Sequence, residues 1–188
     1  LVTDKHVERW AELIRSINKM ADNLGLGMEA TFNDIGLLDI SRELDIKRNL
    51  GRLQIKMKKG PEILSGCLDE PPENFRHNSL LNKLFIDFFK NEGVERFETD
   101  IPGQGIELPE GKKITLYLGH YAISATRRCP FIDSESDDYN NEIKECGKEC
   151  LRYYLAKNTE YYKEPIYVLG NAEFVKAEKR IPSELKGK

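Results

Sequence analysis

The first part of the chain carries an apolar stripe at spacings of three and four residues. Its members are Val7, Trp10, Ile14, Ile17, Ala21 and Leu24. This spacing predicts the buried face of an amphipathic helix, which Gly25 or Gly27 ends. Residues 28–32 then alternate between apolar and polar and predict a strand. After a polar turn, residues 37–44 are typical of a short helix and residues 47–53 of a second strand.

A third helix is predicted from residue 79. It covers residues 79–92, with Ser79 as its N-cap and Gly93 as its end. The positions expected on its buried face are Leu81, Leu84, Phe85 and Phe88. Residues 94–98 and 114–124 predict two further strands, and the Gly- and Pro-containing connection between them is too short for a normal crossover helix.

The last part of the chain predicts a helix followed by a hairpin. Residues 141–157 are predicted as a helix that carries two cysteines, and residues 166–169 and 173–177 as a terminal β-ribbon. Helices that alternate with short apolar strands indicate an α/β fold with a mainly parallel sheet covered by helices.

In parallel sheets, functional side chains collect where the strands end at their carboxyl side. The residues at those predicted ends are Asn33, Asp34, Arg52, Glu98, Asp100 and the segment 120–129. We expect them to share one edge of the sheet. Carboxylates, arginines, a histidine and a cysteine would then lie together.

The composition is typical of a single soluble domain. The 188 residues fit one domain, and 39% hydrophobic with 32% charged residues is an ordinary soluble balance. No apolar run approaches the roughly 20 residues of a membrane-spanning helix, so no membrane partner is expected. Four cysteines without the pattern of a secretory signal favour a reducing, cytoplasmic location.

Residues 47–59 form a basic patch without any acid. Its members are Lys47, Arg48, Arg52, Lys56, Lys58 and Lys59. Because the net charge of the chain is −3, recognition of RNA would depend on a local patch of this kind. A solvated loop is the alternative interpretation.

Three of the four cysteines lie in the stretch TRRCPFIDSESDDYNNEIKECGKEC. Cys146 and Cys150 are four positions apart and would lie on one face of a helix. Cys129 precedes Pro130, which ends the preceding strand. The pattern predicts shared ligation of a metal or cluster. The alternative is that these cysteines are small buried core residues.

A succession of segments resembles the collagenase-like "U-thirty-two" peptidase family. They are ATFNDIGLL, RNLGRLQIKMKKGP, LFIDFFKNEGVERFETDIPGQGI, LYLGHYAISATRRCP and CGKEC. The resemblance implies a TIM-barrel-like α/β fold with mainly parallel strands, of which these motifs form the later part. It implies one domain over residues 1–188, the later two thirds of an incomplete barrel. Residues 1–128 would supply βα units, and residues 129–188 the cysteine-bearing helix and the terminal β-ribbon.

Several members of that family resemble oxygen-independent hydroxylation factors, which carry a four-cysteine iron–sulfur cluster and act on tRNA, rRNA or a quinone precursor. By this resemblance Cys129, Cys146 and Cys150 match three cluster ligands. The fourth is open between Cys67, a residue of an absent N-terminal part, and His77 or His120. A 4Fe-4S cluster is the expected cofactor and zinc the alternative.

On this hypothesis, catalysis is assigned to Glu98, Asp100 and Asp34, and substrate binding to Asn33, Arg52, His120 and Arg127. Two other functions stay open. One is a collagenase-like peptidase with a metal-assisted mechanism, although the sequence contains neither HExxH nor GxSxG. The other is a zinc-stabilised, non-catalytic binding subunit that assembles with a protein of the same family.

Overall fold

The first helix and the first strand follow the predicted pattern closely, and the second strand begins at Lys47 as predicted but ends at Leu50 and not at residue 53. Helix α1 (Asp4–Asn23) precedes strand β1 (Glu29–Phe32), helix α2 (Ile35–Ile40) and strand β2 (Lys47–Leu50). Gly25, at a φ of +68°, ends α1, and the N–H of Leu26 donates to the carbonyl of Ala21. This backbone closure is the usual reason for a glycine behind a helix.

The structure is a computed structural model that describes residues 4–59, 73–126, 129–131, 148–160, 162, 164–177, 181 and 185. These residues divide into two units. The first unit comprises residues 4–56, 78–99 and 107–116. The second comprises residues 57–59, 73–77, 100–106 and the described residues from 117 onward.

The first unit is built on a sheet of parallel strands. Strand β3 (Val94–Asp100) lies beside β2, and β4 (Ile114–Tyr117) lies beside β3, in the order β1-β2-β3-β4. The pairs β1–β2 and β2–β3 are both parallel. One face of this sheet contributes Phe32, Leu50 and Phe97 to the core, so the α/β class is confirmed for this unit.

Helix α3 (Lys83–Asn91) differs from the prediction in its start and in its buried face. Residues Ser79–Leu81 form a separate 3-10 turn, and the N-cap is Asn82, whose Oδ1 accepts from the N–H of Leu84 at 2.9 Å. Ile86 and Phe89 are buried, whereas Leu84 is 80% and Phe88 49% exposed. The helix is apolar on two sides, so periodicity alone did not identify the side that packs on the sheet.

The second unit contains an antiparallel sheet. Its strands are β5 (His120–Ala125), β6 (Leu155–Lys157), β7 (Ile166–Leu169) and β8 (Ala172–Lys176), in the order β5-β8-β7-β6. The antiparallel pairing of β7 with β8 confirms the predicted terminal ribbon. The expectation of mainly parallel strands therefore holds for the first unit and is wrong for this sheet.

The predicted strand 114–124 is two strands in two different sheets. Gly119, at a φ of +88°, separates β4 from β5. Only glycine adopts this conformation readily, so the chain changes direction there. Behind the break, Tyr121 packs with Ile166 and Val175 in the core of the second unit.

The predicted helix 141–157 is wrong in its described part. Lys148 has a φ of +59°, which an α-helix does not allow, and Glu149–Leu151 is only one 3-10 turn. Residues Leu155–Lys157 pair with β7 as a strand, because the edge of that ribbon offers backbone partners. Cys146 lies outside the described residues, as do residues 60–72.

Among the described residues, no helix is long and apolar enough to cross a bilayer.

Candidate functional site

The turn after β1 is hydrogen-bonded to the turn after β2. The N–H of Gly51 donates to the carbonyl of Phe32 at 2.7 Å, and the N–H of Leu53 donates to Asn33 Oδ1 at 3.1 Å. Gln54 Nε2 donates to the carbonyl of Asn33. A Cβ at position 51 would collide with the Asn33 carboxamide, so only glycine allows this approach.

Glu98 lies near the carboxyl end of β3 and is buried, with 7% of its surface exposed. Its Oε1 accepts a hydrogen bond from Thr31 Oγ1 of β1 at 2.7 Å. A carboxylate in this position is costly unless it is hydrogen-bonded, and the Thr31 hydroxyl supplies one such bond. Asn33 and Glu98, which were both predicted at one edge of the sheet, thus lie in the same unit.

The face of the parallel sheet opposite its core carries polar side chains, which we call the polar sheet face. Its members are Glu29, Thr31, Asn49, Arg96 and Glu98. Asn49 is buried and donates through Nδ2 to Glu29 Oε2 at 3.1 Å. Arg96 Nη1 lies 3.3 Å from the same carboxylate oxygen. This row of carboxylates, amide and guanidinium can bind a polar substrate by hydrogen bonds.

Sequence reasoning had found only Glu98 of this face. The signal was the alternation within each strand, where Glu29 and Thr31 in EATF face away from Ala30 and Phe32. Asn49 in KRNL and Arg96 in VERFETD continue the same row in register with Thr31. Polar residues at every second position mark a face that is not core.

Asp100, which ends β3, belongs to the second unit and is 2% exposed. Its Oδ2 accepts from the backbone N–H of Ala122 at 2.8 Å and lies 3.7 Å from Lys59 Nζ. Lys59 Nζ also donates to the carbonyl of Ala122 at 2.8 Å. Together the two side chains satisfy both backbone groups of Ala122 in strand β5. The sequence did not reveal Lys59 as a partner of Asp100.

Tyr121 lies next to this group. Lys59 Nζ is 5.9 Å from the centroid of its ring, and Tyr121 is 2% exposed. Burial raises the pKa of the Tyr121 hydroxyl above its ordinary range, and the proximity of Tyr162 raises this pKa further. The phenol therefore stays protonated further into the alkaline range than an exposed tyrosine.

The other predicted site residues lie in different structural elements and differ in their exposure. Asp34 is the N-cap of α2, and its Oδ1 accepts from the N–H of Leu37 at 3.0 Å. Arg52 is partly buried in the 3-10 turn Arg52–Gln54 of the first unit. His120 is exposed in the second unit, with its ring centroid 5.5 Å from that of Tyr167. Arg127 lies outside the described residues.

Two of the four predicted metal ligands are described. Cys129 and Cys150 are free thiols, both partly buried, in the second unit. Gly170, in the turn between β7 and β8, lies so that an added Cβ would be 3.9 Å from Cys150 Sγ. Cys67 and Cys146 lie outside the described part, within which no group of three or more His, Cys, Asp or Glu is placed to hold a metal ion.

The side chains of the basic patch lie in different environments. Lys58 Nζ lies 5.4 Å from the centroid of the Phe75 ring, and Lys56 Nζ donates to the carbonyl of Leu53 at 3.0 Å. Arg48 lies against Gly93, with its Nε and Nη1 buried. Lys47 is exposed. The patch is thus not uniformly solvated.

Comparison of the chain with known protein families, curated protein sequences and solved structures gave no match.

Proposed function

We propose that this chain is an iron–sulfur protein of the collagenase-like "U-thirty-two" family, acting in oxygen-independent hydroxylation of RNA or of a quinone precursor. The observation that carries the proposal is the contact between Asn33 and Gly51. These residues belong to NDIG and LGR, two of the segments on which the resemblance depends. Their mutual fit supports the interpretation that the two motifs form one functional edge.

We extend the proposal to the fold, as an incomplete TIM-like barrel. In such a barrel successive strands are parallel and adjacent. The order β1-β2-β3 with two parallel pairs supports this assignment. On this proposal the polar sheet face corresponds to the inside of the barrel, where the exposed Glu29 and Thr31 and the partly exposed Arg96 are accessible to a substrate.

The described thiols fit the proposed cofactor. Thiolate is the usual ligand of iron–sulfur clusters, and Cys129 and Cys150 are neither paired in a disulfide nor deeply buried. Cys146 and Cys67 would complete the set of four. When bound, a cluster supplies one-electron transfer. A reducing, cytoplasmic location follows from the need for free thiolates.

The residues of the chain itself bind and orient the substrate in this proposal. Arg96, which is partly exposed, offers hydrogen-bond donors, and Glu98 offers a carboxylate fixed by Thr31. A fixed carboxylate at a strand end is suited to accept a proton or to hold a hydroxyl group. Association with a second protein of the same family is part of the proposal.

Anaerobic reconstitution with iron and sulfide tests the cofactor. The proposal predicts a broad visible absorption band that is lost in Cys129→Ser and in Cys150→Ser. Stoichiometric zinc that iron does not replace under anaerobic loading would contradict it and would favour the zinc-stabilised subunit.

A further inference from the structure

The antiparallel sheet of the second unit has one face that contributes to a core cluster and an opposite face on which several side chains are exposed. Tyr121, Ile166 and Val175 point to the buried side. The register pairs His120 with Lys176 and Tyr167 with Phe174 on the opposite side. The ring of Tyr154 lies beside that of Tyr167. We call this side of the sheet, with Tyr154 included, the outer sheet face. Its exposed or partly exposed members include Tyr154, Tyr167, Phe174, His120 and Lys176, whereas Ala122 and Ala172 on the same side are buried.

Aromatic rings on the outer sheet face form a row across the strands. The ring centroids of Tyr154 and Tyr167 are 5.8 Å apart, and those of Tyr167 and His120 are 5.5 Å apart. Tyr154 is 61% exposed, His120 is exposed, and Tyr167 and Phe174 are partly exposed. These rings support one another and still present surface to solvent. Apolar aromatic surface that is held in place without being buried is typical of a binding surface.

The charge of this face points to an anionic partner. Lys176 is exposed on it. The only acid in the four strands is Glu173, which the register pairs with buried Val168 and whose Oε2 accepts from Ser124 Oγ at 2.7 Å. The outward strand positions therefore carry a lysine and no carboxylate, although the chain has a net charge of −3.

We propose that the outer sheet face binds single-stranded nucleic acid, with bases stacked on Tyr154 and Tyr167 and a phosphate contacted by Lys176. Every base offers an aromatic surface, so stacking on exposed rings binds single strands with little dependence on sequence. A nearby lysine adds the salt-dependent phosphate contribution. A proline-rich peptide would also stack on tyrosines, but it has no need of outward strand positions that lack acids. The site goes beyond the proposed hydroxylation function and requires no cluster.

Fluorescence anisotropy of the full chain with a fluorescein-labelled oligouridylate of about twelve nucleotides tests the proposal, since known single-strand sites span roughly 4–16 nucleotides. We expect binding at low salt, and oligodeoxythymidylate should bind as well. Tyr154→Ala should weaken binding about tenfold, because loss of one stacked base is worth about 1–3 kcal/mol. Tyr154→Phe, which keeps the ring, should bind like the original chain.

Lys176→Gln tests the phosphate contact. It should reduce the slope of log affinity against log salt by about 0.7, the value for one contact to a single strand. Phe88→Ala and Lys83→Gln are matched controls, since they remove an exposed ring and an exposed charge from α3 in the first unit. Both should bind like the original chain, and the thermal unfolding of every variant confirms that it is folded.

Several results would overturn the proposal. One is absence of oligonucleotide binding by the folded chain at low salt. Another is an equal loss of affinity in Phe88→Ala and Tyr154→Ala. A third is a loss confined to Lys56→Gln and Lys58→Gln, which would place the contact on the basic patch. Displacement of the oligonucleotide by a proline-rich peptide of higher affinity would assign the face to a protein partner.

Discussion

Asp100 accepts a hydrogen bond at 2.8 Å from the backbone N–H of Ala122 in β5. Lys59 donates to the carbonyl of the same Ala122, also at 2.8 Å. The two side chains thus stand where a neighbouring strand would pair with β5. Unpaired strand edges invite association with other chains, and covering them with side chains prevents it.

Asp100→Asn should lower the free energy of unfolding by about 1–3 kcal/mol, the usual cost when a buried hydrogen-bonded group loses its partner. The amide keeps the size of the side chain, but it removes the negative charge that attracts Lys59 and leaves only one acceptor oxygen in place of two. Chemical denaturation measures the change. Asp39→Asn is the control, because Asp39 is an exposed carboxylate in an exposed ion pair with Arg42. An equal effect of both substitutions would contradict the role of Asp100.

Gly51→Ala should destabilise the first unit by about 1–3 kcal/mol, because the added methyl group overpacks the site against the Asn33 side chain. The second substitution Asn33→Ala should recover part of that loss by removing the obstacle. Gly27→Ala, where a Cβ has open space, should cost nothing. Additive effects of Gly51→Ala and Asn33→Ala in denaturation would show that the two residues are independent.

Thr31→Val and Glu98→Gln should be coupled in a double-mutant cycle by about 0.5–3 kcal/mol, as residues in one hydrogen-bonded pair are. Valine has the shape of threonine without the hydroxyl group that Glu98 accepts from. Ser16→Ala, which removes an exposed hydroxyl bonded to the carbonyl of Glu12, should not be coupled to Glu98→Gln. Coupling near zero for Thr31 and Glu98 would contradict their contact.

Stability should fall at alkaline pH because of Tyr121. The pKa of this hydroxyl is raised in the folded chain, so the protonated form stabilises the fold fully below the unfolded value of about 10. Above that pH the unfolded chain loses the proton first, and the free energy of unfolding should decline by up to about 1.4 kcal/mol per pH unit. In Tyr121→Phe this part of the decline should be absent. The prediction is contradicted if the difference in free energy of unfolding between the original chain and Tyr121→Phe does not change with pH.

The sequence predicted the elements that repeat a clear period. The alternation of α1, β1, α2, β2 and β3 followed from apolar spacing and from the glycines that end helices. The errors arose where contacts with other elements, and not the local pattern, determine the secondary structure or the buried side of an element. Residues 155–157 pair with β7, and the two apolar sides of α3 compete for one sheet.

The candidate site was predictable in part for the same reason. Asn33 and Glu98 were found because they lie at the carboxyl ends of predicted strands, and parallel pairing brings strand ends to one edge. Asn49 and Arg96 were missed, although their alternation in the strands marks a polar face. Lys59 was not predictable, because its contact with Asp100 joins residues far apart in the sequence.

Iron and sulfide analysis of anaerobically purified chain tests the proposed function most directly. The account predicts about four iron and four sulfide per chain, the composition of a cubane cluster, with little zinc. Each of Cys129→Ser, Cys146→Ser and Cys150→Ser should lose most of the iron, and Cys67→Ser shows whether Cys67 is the fourth ligand. A chain that is folded yet holds neither iron nor sulfide after anaerobic purification and reconstitution would contradict the account.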